Sequence, residues 1–354
     1  MPVKRLSLIA ATFLIAPAWA QQEPLPQPVI EYPRITTRGQ LQLQIDDGNR
    51  GASSGDDPAA VLNGIGRFRT DDSLTVRRGR VVTTLHLSEV LEISNESNFD
   101  TRSQELSVLD LYMRAQLNDN LNLRAGMFKM PFGWEGLRSS RSTNTIEMSD
   151  VTRGIYNFRD SGLALGFEDG PWEATVAVMQ GQGGVWTDTN AAKDLAARIG
   201  YQVDENLRIG ASTQLGVFRD DLGQNFPVRR FGLELQFDSD PWKLEAEYMW
   251  SDGYNFSAHR DTRADGFYVA LVHKLNEEND LVLHFDRFEP DLNKVNGIVA
   301  SNDSNTRNRL VIGWNYYLQR SPEHRFMVNY EFANEEEGPR VPNNGFRVRY
   351  QYAW

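Results

Sequence analysis

Arginine side chains are the groups whose type and spacing point most directly to chemistry in this chain. In the last eleven residues, Arg347 and Arg349 stand between the apolar residues Phe346, Val348 and Tyr350. In a strand, such alternation puts the arginines together on one face. A guanidinium group is a planar fork of donors that matches phosphate or carboxylate oxygens bidentately. The spacing therefore indicates a polar wall able to contact anions.

Other reactive chemistry finds little support in the residue types. The chain has no cysteine, which excludes thiol chemistry and cysteine-ligated metal. Its five histidines show no H-E-x-x-H or similar metal spacing, and no G-x-S-x-G nucleophile context occurs. We therefore predict no enzyme, no cofactor, no metal site and no nucleic-acid partner. An outer-membrane hydrolase with a Ser-His-Asp triad is the enzymatic alternative that residue types alone leave open.

The beginning of the chain predicts export. Lys4 and Arg5 precede the mostly apolar run 6–16, and Ala18 and Ala20 form an A-x-A cleavage site. After it, no apolar run approaches the roughly 20 residues that a spanning helix needs. An exported chain of this kind either stays soluble or crosses a membrane as a closed barrel. The predicted division is a signal peptide over 1–20, a proline-rich periplasmic leader over 21–33 and a barrel domain over 34–354.

The elements that position the arginines are predicted strands. Segments of about ten residues with period-two alternation recur from residue 34 onward, with tight turns and longer loops in alternation, as in transmembrane barrels. Trp354 falls in the apolar phase, as is typical of the last strand of bacterial outer-membrane barrels. The prediction is an all-β fold, a transmembrane antiparallel β-barrel of sixteen strands. The strands are 34–46, 73–87, 90–99, 106–117, 121–130, 161–168, 172–182, 193–203, 207–219, 228–239, 242–253, 264–275, 280–290, 305–319, 324–335 and 344–354.

Alternation also predicts the sign of the channel wall, because residues out of phase with the apolar stripe face the interior. With the strand ends left out, the predicted interior positions hold eleven arginines and eight acids, although the whole chain carries a net charge of -11. Including the strand ends reduces this bias to sixteen against fifteen. The interior arginines are Arg38, Arg78, Arg80, Arg114, Arg124, Arg198, Arg230, Arg307, Arg309, Arg347 and Arg349. The interior acids are Glu92, Glu96, Asp110, Glu234, Glu245, Glu247, Asp286 and Glu331.

The longest connection, 131–160, is predicted to enter the barrel. Long unpatterned loops in compact folds are usually functional or disordered. Disorder is disfavoured by its apolar side chains, which need a surface to pack against. These are Phe132, Trp134, Leu137, Ile146, Met148, Ile155, Tyr156 and Phe158. A third loop that folds back into the lumen satisfies them.

Two segments resemble a known family. Gly126-Met-Phe-Lys-Met-Pro-Phe-Gly-Trp-Glu135, with Ser139-Ser140, Glu147 and Arg153-Gly154, is similar to the third-loop region of the phosphate-selective porin O and P family. The segment 74–81 resembles that family's early strand with paired arginines. The resemblance implies a trimeric sixteen-stranded porin whose inward loops and basic side chains bind anions. It implies the candidate anion contacts Arg77, Arg78, Arg80, Lys129, Arg138, Arg141 and Arg153, and the interior phase adds Arg124.

Each candidate also has a purely structural interpretation. Arg77, Arg78 and Arg80 can form a solvated face or pair with Glu92 or Glu96 on the next strand. Arg77 and Lys129 share the apolar phase of their strands, so that Arg77 requires either a bulge near Gly79 or a position at a subunit contact or headgroup level. The loop arginines can brace the loop through its own acids, Glu135, Glu147 and Asp150.

These patterns predict an outer-membrane porin for passive diffusion of small hydrophilic solutes, biased to anions such as phosphate. A weakly selective general diffusion porin is the alternative that the mixed charges favour. A structural anchor or adhesin is the alternative from another class, disfavoured because sixteen strands leave an aqueous channel. The expected partners are outer-membrane lipid and lipopolysaccharide, the assembly machinery acting on the C-terminal strand, and two further copies in a homotrimer.

Overall fold

The computed structural model describes nine stretches of the chain. They are residues 31–48, 73–101, 105–156, 159–181, 191–219, 223–255, 260–292, 306–336 and 344–354. Pro33–Trp354 form one compact unit. The predicted signal peptide and nearly all of the predicted leader lie outside the described residues, so the division of the chain at residues 20 and 33 stays a prediction.

The described residues form a closed antiparallel barrel of sixteen strands, which confirms the predicted fold. Consecutive strands pair with each other, and the last pairs with the first. The strands are β1 (Arg34–Gly48), β2 (Ser73–His86), β3 (Leu91–Asp100), β4 (Glu105–Gln116), β5 (Leu121–Lys129), β6 (Arg159–Asp169), β7 (Trp172–Met179), β8 (Asp194–Gln202), β9 (Leu207–Arg219), β10 (Asn225–Ser239), β11 (Trp242–Asn255), β12 (Arg260–Asn276), β13 (Asn279–Glu289), β14 (Arg307–Tyr317), β15 (His324–Glu335) and β16 (Gly345–Ala353). The largest boundary difference is at β12, which begins four residues earlier than predicted because its pairing with β11 extends to Arg260.

The two faces of the barrel differ as the alternation predicts. On β1, Gln40, Gln42 and Gln44 are buried toward the lumen, while Leu41 and Ile45 are exposed on the outside. Lipid offers no hydrogen bonds to a backbone, so a membrane-spanning sheet must pair its last edge with its first. The apolar outside and the closed ladder satisfy that requirement together.

Large aromatic side chains ring the tight-turn end of the barrel. Trp172 and Trp242 begin their strands and are 48% and 45% exposed. The ring of Trp314 is stacked with that of Tyr316, with centroids 5.8 Å apart. Trp354 directly follows the last strand. Amphipathic rings at one level are typical of the interfacial girdle of outer-membrane barrels.

A bulge in β2 turns Arg77 toward the lumen. The pairing of β1 with β2 passes from Gln42 opposite Arg78 to Leu43 opposite Val76, so Arg77 is the extra residue. Of the two interpretations for Arg77, the bulge is therefore the one found, two residues before the predicted Gly79. It places two adjacent arginines on the same side of the wall.

Helices contribute little to the described part of the chain. Helix α1 (Asp150–Ile155) lies in the long third loop, and a 3-10 helix spans Leu318–Arg320. Among the described residues, no helix combines the length and the apolar character needed to cross a membrane. The Ser149 hydroxyl accepts a hydrogen bond from the Thr152 amide at 3.2 Å and caps the start of α1.

The first and last strands meet at a close contact between Gly39 and Trp354. Their backbones exchange two hydrogen bonds of 3.0 and 3.1 Å, and the indole ring covers the position that a Gly39 side chain would occupy. A Cβ there would also lie 2.7 Å from the Arg80 carbonyl oxygen. The absence of a side chain at residue 39 thus lets the terminal tryptophan cover the seam of the barrel.

Gly39→Val is expected to destabilise the barrel by about 1–3 kcal/mol, the usual cost of forcing extra atoms into a packed site. The measurement is the temperature at which the folded band is lost on an unheated-to-heated electrophoresis series. Gly79→Val is the matched control on the neighbouring strand, because its added Cβ meets no atom closer than 3.5 Å. Equal losses in the two variants would contradict a special role for the seam.

Candidate functional site

The third loop lies against the inner wall through its apolar side chains. The name constriction loop is used here for its described residues, 131–156. Phe132, Ile146, Val151, Ile155 and Tyr156 are all at least 96% buried. Most of them join one apolar cluster whose other members come from β5 to β8, from Met130 directly after β5, and from β11 to β13. Those members are Phe128, Met130, Ala164, Ala177, Met179, Ala196, Met249, Ala264, Tyr268, Ala270 and Phe288.

Lumen-facing side chains on distant strands bind the backbone of the constriction loop. The Glu247 carboxylate accepts the Trp134 and Glu135 amides at 2.5 and 2.8 Å. The Asn329 side chain accepts the Ile146 amide at 2.7 Å, and Arg325 donates to the Thr143 carbonyl at 2.9 Å. Strands β11 and β15 are each six positions from β5 around the barrel. The loop therefore reaches across the lumen, with wall side chains satisfying backbone groups that its irregular path leaves unpaired.

Glu147 anchors the middle of the constriction loop. Its carboxylate lies 3.3 Å from Arg77, 3.6 Å from Arg78 and 3.3 Å from Arg349. Burial by itself raises the pKa of Glu147, but the guanidinium groups of Arg77, Arg78 and Arg349 outweigh burial and hold that pKa well below its usual range. The carboxylate is therefore a permanent negative charge among arginines of β2 and β16.

The paired arginines of β2 have partners within the structure. Arg77 also contacts Asp100 at 2.8 Å, and Arg78 donates to the Gln42 side chain at 3.0 Å. Arg80 lies 3.2 Å from Glu96 on β3, the pairing that the structural interpretation of these residues predicts. All three candidate anion contacts are thus engaged with carboxylates.

Two arginines of the constriction loop are also paired. Arg138 donates to Glu245 on β11 at 2.6 Å, a partner outside the loop that the sequence did not indicate. Arg153 lies 3.9 Å from Asp150 within α1, and burial lowers the pKa of Arg153. Arg138 thus connects the loop to β11, and Arg153 makes its contact within the loop.

Lys129 and Arg124 have non-carboxylate partners. The Lys129 ammonium donates to the carbonyl oxygens of residues 136, 137 and 138 at 2.7–3.1 Å, holding the first turn of the constriction loop. The Arg124 guanidinium lies over the rings of Tyr112 and Phe128, 4.8 and 5.3 Å from their centroids. Neither group is placed as a simple solute contact.

Several other interior arginines contact acids on nearby strands. Arg309 lies 2.8 Å from Asp286, and Arg347 lies 2.7 Å from Glu331. Arg198 on β8 lies 2.8 Å from Glu234, which is two strands away on β10. The modest positive bias counted from the sequence is therefore largely neutralised by pairing.

A cavity remains between the constriction loop and the wall formed by β1 to β4, and it is called the side passage here. It is lined by Arg38, Gly39, Gln40, Arg80, Val82, Glu96, Asp110, Lys129, Leu137, Ser139 and Arg141. Arg159 lies 2.7 Å from Asp110 and 3.7 Å from Glu96, so both acids of the side passage have cationic partners.

The guanidinium groups of Arg38 and Arg141 differ from the ion-paired arginines of the site. Within the described residues, neither group has a hydrogen-bond acceptor or a carboxylate partner, since only the backbone of Arg141 is engaged, through contacts such as Arg325 to its carbonyl at 2.8 Å. Arg141 is one of the predicted anion contacts. Arg38 belongs to the predicted interior set but not to the predicted anion contacts. The residue opposite Arg38 on β2 is the uncharged Val82, and this pairing, which offers no counter-charge, is the signal that could have identified Arg38.

No group of three or more histidine or acidic side chains in the described part of the chain is arranged to hold a metal ion. His284 instead pairs with Asp286 at 3.0 Å next to Arg309.

Comparisons with known proteins agree with this architecture. The model of a family described as phosphate-selective porin O and P matches residues 66–217. The anion-selective porin from Comamonas acidovorans has a TM-score of 0.63 at 10% identity, over 91% of this chain and 99% of its own. The outer membrane channel DcaP of Acinetobacter baumannii has a TM-score of 0.63 at 14% identity, over 90% and 97%.

A further solved structure, OmpF of Salmonella typhi in complex with daunomycin, has a TM-score of 0.65 at 11% identity, over 91% of this chain and 98% of its own. At these identities the likeness shows the fold. No curated protein matches the chain.

Glu147→Gln is expected to loosen the constriction loop, because it leaves Arg77, Arg78 and Arg349 without their shared counter-charge. Removing one partner from a buried ion pair costs about 3–5 kcal/mol. We expect a lower unfolding temperature together with larger, noisier single-channel currents in planar bilayers. Glu336→Gln is the control, since its pair with Arg287 is exposed and contributes about 0–1 kcal/mol. If E147Q gives currents as quiet as those of the wild-type channel, the loop does not depend on this anchor.

The same anchor predicts a pH dependence. A depressed pKa means that Glu147 stabilises the folded state fully above its unfolded pKa of about 4.3 and loses that contribution as the pH falls through the folded value. Quiet currents should therefore persist from pH 7 to about pH 4, and E147Q-like noise should appear only in stronger acid. Onset of the noise near pH 5–6 in a bilayer titration would contradict the depressed pKa.

Proposed function

We propose that this chain, which belongs to the phosphate-selective porin O and P family and is an outer-membrane channel rather than an enzyme, is biased toward anions, with phosphate among its solutes. Solutes diffuse passively through the side passage, between the constriction loop and β1 to β4. The observation that carries the anion bias is the pair of guanidinium groups, Arg38 and Arg141, that line the passage without a carboxylate partner among the described residues.

The unpaired guanidinium groups matter more than the total number of arginines. Opposite charges a few ångströms apart largely cancel at the distance of a passing solute. The pairs Arg80 with Glu96 and Arg159 with Asp110 therefore contribute little net field. Arg38 and Arg141 are left to attract an anion, and their donors are free to match its oxygens. Two weak sites in one passage suit conduction, because a solute must leave as readily as it enters.

Two comparisons support an anion bias. The matched family is described as phosphate-selective, and one structural neighbour is described as an anion-selective porin. These descriptions apply to the matched family and to that neighbour. For this chain they agree in sign with the charge of the side passage.

A weakly selective general diffusion porin is the second candidate. It is favoured by the neutralised pairs, since Arg138 with Glu245 and Arg77 with Asp100 leave the surrounding lumen close to neutral. The two candidates differ in the reversal potential under a salt gradient, which stays near zero for a channel without ion preference.

The proposal assigns different roles to the arginines and lysine first selected from the sequence. Arg141 stays a solute contact, and Arg38 is added to it. The remaining candidates hold the loop or the wall in place; they are Arg77, Arg78, Arg80, Lys129, Arg138, Arg153 and Arg124.

Export and assembly remain proposals that rest on the sequence and the family. Residues 1–20 act as a cleaved signal peptide and residues 21–33 as a periplasmic leader. The assembly machinery recognises the C-terminal strand, the rim contacts lipopolysaccharide, and three copies associate as a homotrimer. Crosslinking of the purified channel, read as the largest covalent species, tests the trimer.

Replacing both Arg38 and Arg141 with glutamine is expected to lower the anion-to-cation permeability ratio. An exposed unit charge about 4 Å away contributes roughly 1 kcal/mol in water, so the ratio should fall by about fivefold or more. The measurement is the reversal potential of the purified channel in a planar bilayer under a potassium chloride gradient. Arg229→Gln is the matched control, because Arg229 shares the outward phase of Phe231 and Leu233.

Three outcomes separate the candidates. Wild-type preference for anions that R38Q/R141Q loses supports the proposal. A wild-type reversal potential near zero supports the general diffusion porin. An anion preference unchanged in R38Q/R141Q would show that other groups set it.

A further inference from the structure

The side passage contains apolar side chains where a water-filled channel has no need of them. Val82 lies in the lumen phase of β2, between the polar residues Arg80 and Thr84. It is half-buried, and it lines the side passage together with Leu137 of the constriction loop. Leu137 is also only half-buried, although neighbouring loop residues such as Phe132 and Ile146 are fully buried.

These apolar side chains are next to the unpaired guanidinium groups. Val82 is directly opposite Arg38 in the pairing of β1 with β2. Directly opposed residues on one face of an antiparallel pair have Cβ atoms about 5 Å apart. Leu137 is four residues before Arg141 in the same loop, and both line the same cavity. The passage therefore combines an anion-binding element with an apolar element over the length of a small molecule.

This combination suits one class of anion better than another. A carboxylate oxygen pair can take the fork of Arg38 or Arg141, while an adjoining hydrocarbon group covers Val82 and Leu137 and removes apolar surface from water. Inorganic phosphate presents oxygen on every side and gains nothing from the apolar element. A hydroxylated carboxylate of equal size gains less, since its hydroxyl loses water at the same surface.

We propose that the side passage favours small organic monocarboxylates with a short apolar body over inorganic phosphate and over hydroxylated carboxylates of the same size. The proposal rests on the anion bias proposed above and names the class of solute that the same site prefers. Arg38 and Arg141 hold the carboxylate, and Val82 and Leu137 contact the hydrocarbon part.

Propionate and glycolate are the probes, since they differ by a methyl group in place of a hydroxyl. Each potassium salt is placed opposite potassium chloride across a planar bilayer containing the full-length channel, and the reversal potential gives its permeability relative to chloride. Dihydrogen phosphate at pH 6 is measured in the same way. The propionate-to-glycolate ratio is expected to exceed the ratio of their mobilities in water by about twofold, as when roughly half of a methyl group leaves water.

The matched variants separate the apolar contact from the rest of the channel. Val82→Thr and Leu137→Asn replace apolar groups with polar groups of similar size, and together they should return the ratio to its value in water. Val81→Thr makes the same change at the adjacent, lipid-facing position of β2 and should keep the twofold excess. If the double variant forms no channels, V82T alone is expected to lose about half of the excess.

The outcomes distinguish this inference from the function on which it rests. An anion-selective channel whose propionate-to-glycolate ratio equals that in water overturns the solute preference and leaves the anion bias intact. Retention of the excess in V82T/L137N also overturns it, because the apolar pair is then not its cause. A higher permeability for phosphate than for propionate likewise overturns the solute preference. Cation selectivity in potassium chloride overturns the anion bias, and the solute preference with it.

Discussion

The absence of hydrogen-bonding partners in lipid is the constraint on which the rest of this structure depends. It requires the sheet to close, and closure at sixteen strands creates a lumen too wide for wall side chains alone to fill. The constriction loop occupies part of that space. Its own path is irregular, so its amides and carbonyls require partners in turn. Glu247, Asn329 and Arg325 supply them from the wall.

The polar wall of the barrel consequently has two tasks, anchoring the loop and contacting solutes, that compete for the same side chains. Arginines that anchor the loop, such as Arg77, Arg78 and Arg349 around Glu147, share that carboxylate and are held against the loop by it. Under the proposed function, selectivity is left to Arg38 on β1 and Arg141 in the loop itself. Their guanidinium groups line the side passage and have no carboxylate partner among the described residues.

The sequence predicted the strands well because their alternation is a local property with a period of two. It also narrowed the position of Arg77 to two choices, of which the structure shows the bulge. The pairing of Arg80 with Glu96 on the next strand was also within its reach, but the ion pairs between residues remote in the chain were not. Glu147 and Arg349 are 202 residues apart, and Arg138 meets Glu245 across 107. Only the register of the closed barrel and the path of the loop bring such residues together.

Charge counts therefore describe this lumen poorly. A net charge of -11 for the whole chain and an excess of three arginines on the predicted inner wall point in opposite directions. Exposed charges act over about 8 Å at physiological ionic strength, so acids beyond that distance have little influence on the side passage. Within it, each acid has an arginine beside it, whereas two arginines, Arg38 and Arg141, have no acidic partner among the described residues. Under the proposed function, the field that a solute meets comes from the arginines that pairing leaves without an acidic partner, and the contacts that anchor the loop decide which arginines those are.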